Sequence, residues 1–192
     1  MTIGFNLFDY RLVNKSKGGD NVLKKQNKGF TLIELLIVIA ILGTLAVVIL
    51  LALNPVQQLA RTRDAGRAST VAQLGHAMEA YATTHGGLYP TTATCGANWI
   101  DTCLVDTGEI SSAPKEVGYS ANNANRCGGQ DNWCYAVNSA RDEAVIYAGA
   151  EAKNNTSKCP ADNAFFVYST ADGRGGLVCG TPSPGNQTFV ED

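Results

Sequence analysis

The feature that most constrains this chain is an apolar run that extends without interruption from Phe30 to Leu53. The run has 24 residues and a single charged side chain, Glu34. As an α-helix rising about 1.5 Å per residue it would be roughly 36 Å long, which is enough to cross a hydrocarbon core of ~30 Å. The run therefore predicts a membrane-spanning helix near the N-terminus.

Charges around the run predict its orientation. Residues 1–29 contain six Lys or Arg against two Asp, and Lys24, Lys25 and Lys28 lie just before the run. Because such residues stay on the cytoplasmic side, we expect the C-terminal body to lie outside the cytoplasmic membrane. Without residues 1–29 the net charge changes from −2 to −6. This balance argues against a general nucleic-acid binder and leaves a small local basic patch open.

After Asn54 and Pro55 the pattern predicts an amphipathic helix with one buried stripe. The stripe consists of Val56, Leu59, Val71, Leu74, Met78 and Tyr81, with Ala60 and Ala68 between them. The other faces carry Arg61, Arg67, Gln73 and Glu79. Pro55 predicts a kink or a local opening of the helix, because proline removes a backbone hydrogen bond. Gly86 and Gly87 predict the helix end.

The remaining residues predict a small antiparallel sheet. Residues 88–130 are rich in Thr, Asn, Gly and Ser, which is typical of a long loop with short elements. Turn-forming stretches then separate four strand-like runs, which are Trp133–Val137, Glu143–Ala148, Phe165–Ser169 and Leu177–Cys179. The expected fold is α+β: a long N-terminal helix, spanning the membrane in its first half and amphipathic in its second, packs on three to four antiparallel strands.

Six cysteines lie beyond the apolar run, at Cys95, Cys103, Cys127, Cys134, Cys159 and Cys179. None belongs to a Cys-x-x-Cys pair, and both histidines, His76 and His85, lie upstream, so we expect neither a metal nor a cofactor. An even number of cysteines on the exported side predicts disulfides in an oxidising compartment. Six cysteines allow 15 connectivities. We favour pairing between sequential neighbours, because each lies in its own loop-like stretch.

The residues Lys28-Gly29-Phe30-Thr31-Leu32-Ile33-Glu34, followed at once by the apolar run, resemble the prepilin processing site of type IV pilins and type II secretion pseudopilins. The resemblance implies cleavage between Gly29 and Phe30 and methylation of the new amine. Glycine gives a peptidase close access to the backbone, and Lys28 helps to hold the bond at the cytoplasmic membrane face. The chain would then divide into a leader (1–29), a transmembrane and filament-core helix (30–53), an amphipathic helix (54–87) and a disulfide-stapled head (88–192).

Glu34 would be the fifth residue of the processed chain. The resemblance implies that its carboxylate meets the N-terminal amine of a neighbouring subunit, which is largely cationic at neutral pH. The alternative is an acidic residue near a helix start, where the helix dipole favours it by about 0.3–1 kcal/mol. Because charges within spanning segments are uncommon and functional by default, we favour the assembly role.

The resemblance implies a type IV pilin-like structural subunit of a filament. Its partners would be copies of itself and other pilins, a prepilin peptidase, and an assembly platform with its ATPase. It would reside in the membrane before assembly and in an extracellular filament afterwards. Since no Ser-His-Asp or Cys-His arrangement is apparent, we expect no enzymatic activity. The alternatives are a pseudopilin of a secretion or DNA-uptake system, and a single-span membrane protein with a ligand-binding or enzymatic ectodomain.

Three weaker signals concern the head. Trp99, Trp133 and Tyr135 could stack on sugars or bases, but core packing is the favoured interpretation. The stretch 169–176 looks like the calcium loop of major pseudopilins, yet it offers one carboxylate where calcium requires six to eight oxygens, so a turn is favoured. The region bounded by Cys159 and Cys179 resembles the disulfide-bounded C-terminal region of many type IV pilins, which is often surface-exposed. A purely structural staple explains it equally well.

Overall fold

The computed structural model describes residues 29–120 and 125–191. This part of the chain contains four α-helices, four strands, one π-helical turn and one 3₁₀ turn. The helices are α1 (Leu32–Ala52), α2 (Pro55–Thr84), α3 (Thr92–Cys95) and α4 (Lys153–Thr156). The strands are β1 (Cys134–Val137), β2 (Ala144–Gly149), β3 (Ala164–Ser169) and β4 (Arg174–Cys179). The π-helical turn covers Asp101–Val105, and the 3₁₀ turn covers Gln130–Asn132.

The predicted interruption after the apolar run separates α1 from α2. Asn54 caps α2, because its side-chain oxygen accepts a hydrogen bond from the Gln57 N–H at 3.3 Å. Pro55 occupies the first helical turn, where the missing N–H costs no hydrogen bond. Gly86 and Gly87, both with positive φ, follow the end of α2 as predicted.

The buried face of α2 differs from the predicted stripe at its N-terminal end. The C-terminal part is confirmed, since Val71, Leu74, Met78 and Tyr81 are all buried. Val56 and Leu59, in contrast, are 61% and 60% exposed, so their assignment to the stripe was wrong. Arg67, which was predicted on an outer face, is 0% exposed. The guanidinium of Arg67 is paired with Asp64 at 2.7 Å and with Glu151 at 3.1 Å, which offsets the cost of burying the charge.

The four strands form one antiparallel sheet, as predicted, and they lie in the order β1-β2-β3-β4. β4 starts three residues earlier than expected, because Gly175 and Gly176 pair with Tyr168 and Val167 instead of forming a turn. A Cβ at Gly176 would lie 2.5 Å from the ring of Phe189. The glycine that resembled a turn signal therefore makes room for an aromatic ring on the sheet.

Each face of the sheet is covered by a different part of the chain. Helix α2 packs on one face, where Tyr168 lies against Gly75. The core on that side includes Trp99, Trp133 and Tyr135, so the predicted core packing of these aromatics is confirmed. The C-terminal segment covers the other face. There Phe189 forms a β-bridge with Val178, and the Ser169 hydroxyl donates to the Gly185 carbonyl at 3.1 Å.

Three disulfides join neighbouring cysteines in chain order, with Cα–Cα distances of 5.6, 6.1 and 5.3 Å. They are Cys95–Cys103, Cys127–Cys134 and Cys159–Cys179. In a chain-entropy treatment the two short loops contribute about 2.5 kcal/mol each and the longest about 3.3 kcal/mol. The first bridge is buried at both ends, whereas Cys179 of the third is exposed.

Gly75 and Gly66 provide a matched test of how α2 packs on the sheet. A Cβ at Gly75 would lie 2.3 Å from the Tyr168 ring, so Gly75→Ala should lower the free energy of unfolding by about 1–3 kcal/mol. At Gly66 the nearest atom is Val117 Cγ2 at 3.8 Å, so Gly66→Ala should raise it by about 0.5–1 kcal/mol. Unfolding of the chain in detergent micelles measures both. Equal effects of the two substitutions would contradict the packing.

The exposure of Cys179 predicts the order in which the disulfides are reduced. Under native conditions a mild reductant should open Cys159–Cys179 first and Cys95–Cys103 last, because a thiolate must reach a sulfur atom to attack it. Alkylation followed by peptide mapping identifies the thiols released over time. Without reductant, denatured protein should yield no labelled cysteine. Release of Cys95 and Cys103 first would contradict the burial, and labelling without reductant would contradict the complete pairing.

Candidate processing and assembly site

The residues at the predicted cleavage point precede α1 and are accessible. Gly29 and Phe30 are exposed and lie outside the helix, and a Cβ at Gly29 would meet no atom within 4 Å. An accessible peptide bond next to glycine offers a peptidase the backbone without a side chain in the way. The rest of the predicted leader, including Lys28, lies outside the described residues, so its role in processing stays a prediction.

Thr31 and Glu34 form a reciprocal hydrogen-bonded cap at the start of α1. The Thr31 N–H and hydroxyl each donate to Glu34 Oε2 at 2.8 Å. In return, the Glu34 N–H donates to the Thr31 hydroxyl oxygen at 3.2 Å. This arrangement is a capping box, which satisfies N–H groups that a helix start otherwise leaves unpaired. Its Thr-x-x-Glu pattern is visible in the sequence, but the sequence prediction assigned a role to Glu34 and none to Thr31.

The cap engages only one oxygen of the Glu34 carboxylate. Both donors bind Oε2, and within the described residues Oε1 has no hydrogen-bond partner. An ionised carboxylate has about four lone-pair positions, so it can hold the cap and accept a further donor at once. Cleavage after Gly29 would preserve the cap, because the Thr31 N–H belongs to the following peptide bond. The cap and the predicted amine contact are therefore compatible uses of the same side chain.

The surface of α1 is apolar except at Glu34 and Thr44. All 21 residues of α1 are exposed, and Glu34 is the only charged side chain among them. Among the described residues, α1 is the one helix long and apolar enough to cross a membrane by length and composition. Water cannot favourably solvate a surface of this kind, so α1 requires lipid or the apolar surface of other chains around it.

Residues 170–173, the central part of the stretch that looks like a calcium loop, form the turn between β3 and β4, whereas Gly175 and Gly176 at its end belong to β4. The one carboxylate of the stretch, Asp172, accepts a hydrogen bond from the Gln187 N–H at 2.8 Å. Within the part of the chain that the structure describes, no group of three His, Cys, Asp or Glu residues is positioned to hold a metal ion. The favoured interpretation as a turn is confirmed.

A comparison with protein families matches residues 24–50 to the prokaryotic N-terminal methylation motif. The predicted resemblance is thereby confirmed: the chain carries the signal motif of type IV pilins and pseudopilins. The α+β architecture, with an apolar N-terminal helix, a second helix and a four-stranded antiparallel sheet, is consistent with a pilin-like fold.

The motif supports a type IV pilin-like or pseudopilin-like protein, which is a structural rather than an enzymatic class. The motif and the apolar helix fit a membrane-anchored pilin that later becomes extracellular. Searches of curated proteins and of solved structures found no match to this chain.

Proposed function

We propose that this protein is the subunit of a type IV pilus-like filament, released from its leader by cleavage between Gly29 and Phe30. The observation that carries the proposal is the methylation motif at residues 24–50 together with a helix whose uncovered surface is almost wholly apolar. In the membrane, lipid covers that surface. In a filament, the α1 helices of neighbouring subunits cover it, and the disulfide-stapled heads face outward.

Cleavage generates the amine that pairs with Glu34 during assembly. Hydrolysis of the peptide bond between Gly29 and Phe30 releases the Gly29 carboxylate with the leader and leaves a free amine on Phe30. That amine, subsequently methylated, carries a positive charge within an apolar surrounding. A carboxylate from an adjoining subunit offsets the cost of this burial, and Glu34 is the only acidic side chain on α1. Oε1 of Glu34 is the oxygen that the capping box leaves for this contact.

Transfer of α1 from lipid to filament requires an external source of energy. Lipid tails are as apolar as the packed helices, so this transfer gains little from the hydrophobic effect. The proposal therefore includes an ATPase and a membrane platform that extract subunits, in addition to the prepilin peptidase. These partners follow from the resemblance to type IV pilins.

Two features of the head favour a pilus over a secretion or DNA-uptake pseudopilus. The region between Cys159 and Cys179 resembles the disulfide-bounded region of many type IV pilins, and one end of its bridge is exposed. The stretch that resembles a pseudopilin calcium loop is a turn whose one carboxylate bonds to the backbone of Gln187.

Substitutions at Thr31 and Glu34 separate the charge of Glu34 from its capping role. Glu34→Gln keeps an oxygen for the cap and removes the charge, whereas Thr31→Val removes the hydroxyl and keeps the charge. Glu34→Gln and Glu34→Ala should be cleaved normally but should not assemble. An unpaired buried amine costs about 3–5 kcal/mol, which lowers the association constant at each addition by roughly 10² or more. Thr31→Val should assemble with a modest loss of filament yield, since a helix cap contributes about 0.5–2 kcal/mol.

The measurement compares sheared surface filaments with the membrane pool, in cells that carry the assembly machinery. Absence of the wild-type chain from surface filaments would contradict the pilus proposal. If the chain then proved necessary for secretion or DNA uptake, it would be a pseudopilin. If it remained uncleaved in the membrane, it would be a single-span protein with a binding ectodomain. Normal assembly of Glu34→Gln would refute the charge pair alone, and equal failure of Thr31→Val would assign the defect to the helix cap.

A further inference from the structure

A cluster of four charges lies between the N-terminal part of α2 and the rest of the head. It consists of Arg63, Asp64 and Arg67 on α2 and Glu151, which follows β2, and its formal net charge is zero. Arg67 bridges both acids, with Nη1 at 2.7 Å from Asp64 and Nη2 at 3.1 Å from Glu151. Nε of Arg63 donates to Glu151 at 3.0 Å. Asp64 and Arg67 are almost completely buried.

The carboxylate of Asp64 holds the chain that leads into α4. It accepts hydrogen bonds from the backbone N–H groups of Glu151 and Ala152, each at 2.9 Å. It also accepts one from the side-chain amide of Asn155 at 2.7 Å. Hydrogen bonds to a charged group contribute about twice as much as neutral ones, so the Asp64 carboxylate attaches this segment strongly to α2.

Arg67 holds a second segment, the loop 117–120. Nη2 of Arg67 donates to the carbonyl oxygens of Val117 at 3.1 Å and Gly118 at 2.8 Å. The guanidinium carbon lies 3.6 Å from the centre of the Tyr119 ring, a close cation–π contact. The Ser120 N–H donates to Glu151 at 3.0 Å. The loop is therefore attached both to the guanidinium of Arg67 and to the carboxylate of Glu151.

Glu151 remains ionised in this setting. Burial alone would raise its pKa, but hydrogen bonds from Arg63, Ser120 and Arg67 lower the pKa to about 2. Glu151 therefore keeps its charge at neutral pH.

The charge cluster and the apolar contacts with the sheet lie on different turns of α2. The apolar contacts with the sheet begin at Val71 and continue towards the C-terminal end. Before Val71, the buried positions are Arg67, Asp64 and Ala60, and Gln57 accepts a hydrogen bond from the Lys153 N–H at 3.0 Å. The first three turns of α2 are thus held mainly by charges and hydrogen bonds.

We propose that the charge cluster is a conformational latch. It attaches residues 57–67 of α2 and the loop 117–120 to the segment that begins at Glu151, so that these two parts of the chain are released together. Losing one partner of a buried ion pair leaves the other charge uncompensated, so the cluster closes or opens as a whole. The apolar core that begins at Val71 is formed by other side chains, and of the latched loop Val117 packs against it. The latch fixes the surface that α2 and the loop present together, whether or not the chain assembles into a filament.

Hydrogen exchange on the full-length chain in detergent micelles tests the latch. Arg67→Met removes the residue that binds both segments, and Arg61→Met makes the same substitution at an exposed position of the same helix. In Arg67→Met, the amides of 57–67 and the Ser120 amide should exchange about 10²-fold faster together. The amides of 71–82 and of the central strands β2 and β3 should keep their protection. Arg61→Met should match the wild type.

Three outcomes would overturn the inference: faster exchange in only one of the two segments, an equal increase in 71–82 and the sheet, or no change. If Arg67→Met does not fold, Glu151→Gln serves in its place, because it removes one charge with little change of shape. The same pattern of exchange supports the latch in that variant, and the same three outcomes contradict it.

Discussion

The uncovered apolar surface of α1 limits the surroundings in which this chain can be stable. A helix of 21 residues with one charged side chain and no buried residue has no stable existence in water. The surrounding that stabilises it has to come from outside the chain; in the proposed function this is first lipid and then the same helix in other subunits. Glu34 is tolerable in such a surrounding because the capping box already satisfies one of its oxygens, and a neighbour's amine can satisfy the other.

The head achieves its stability by different means. Its core lies on both faces of a four-stranded sheet, with α2 on one side and the C-terminal segment on the other. Three local disulfides and one buried charge cluster add to these apolar contacts. A head of this kind can remain folded outside the cell, where disulfides persist and where the outward-facing part of a filament subunit would reside.

Much of this fold could be predicted because the relevant signals are local. Hydrophobic spacing located both long helices, and Asn54 with Pro55 marked the break between them. Cysteines close together in sequence paired with each other. The charge cluster could not be predicted, because Arg67 looks like a solvent-facing residue until Glu151, 84 positions away, is placed beside it. Gly176 resembled part of a turn, because its actual role, which is to make room for the Phe189 ring, depends on tertiary structure. The Thr31 cap was within reach of sequence analysis, since its partner lies three residues away.

The most direct test of the central claim is the intact mass of the protein isolated from the membrane or filament fraction. The expected mass is that of residues 30–192 with one methyl group on the Phe30 amine and with six hydrogens lost to three disulfides. Fragmentation should place the methyl group on the first residue. A chain that still begins at Met1, or one that has been cut after residue 53 and has lost α1, would contradict the claim that this helix is retained to build a filament.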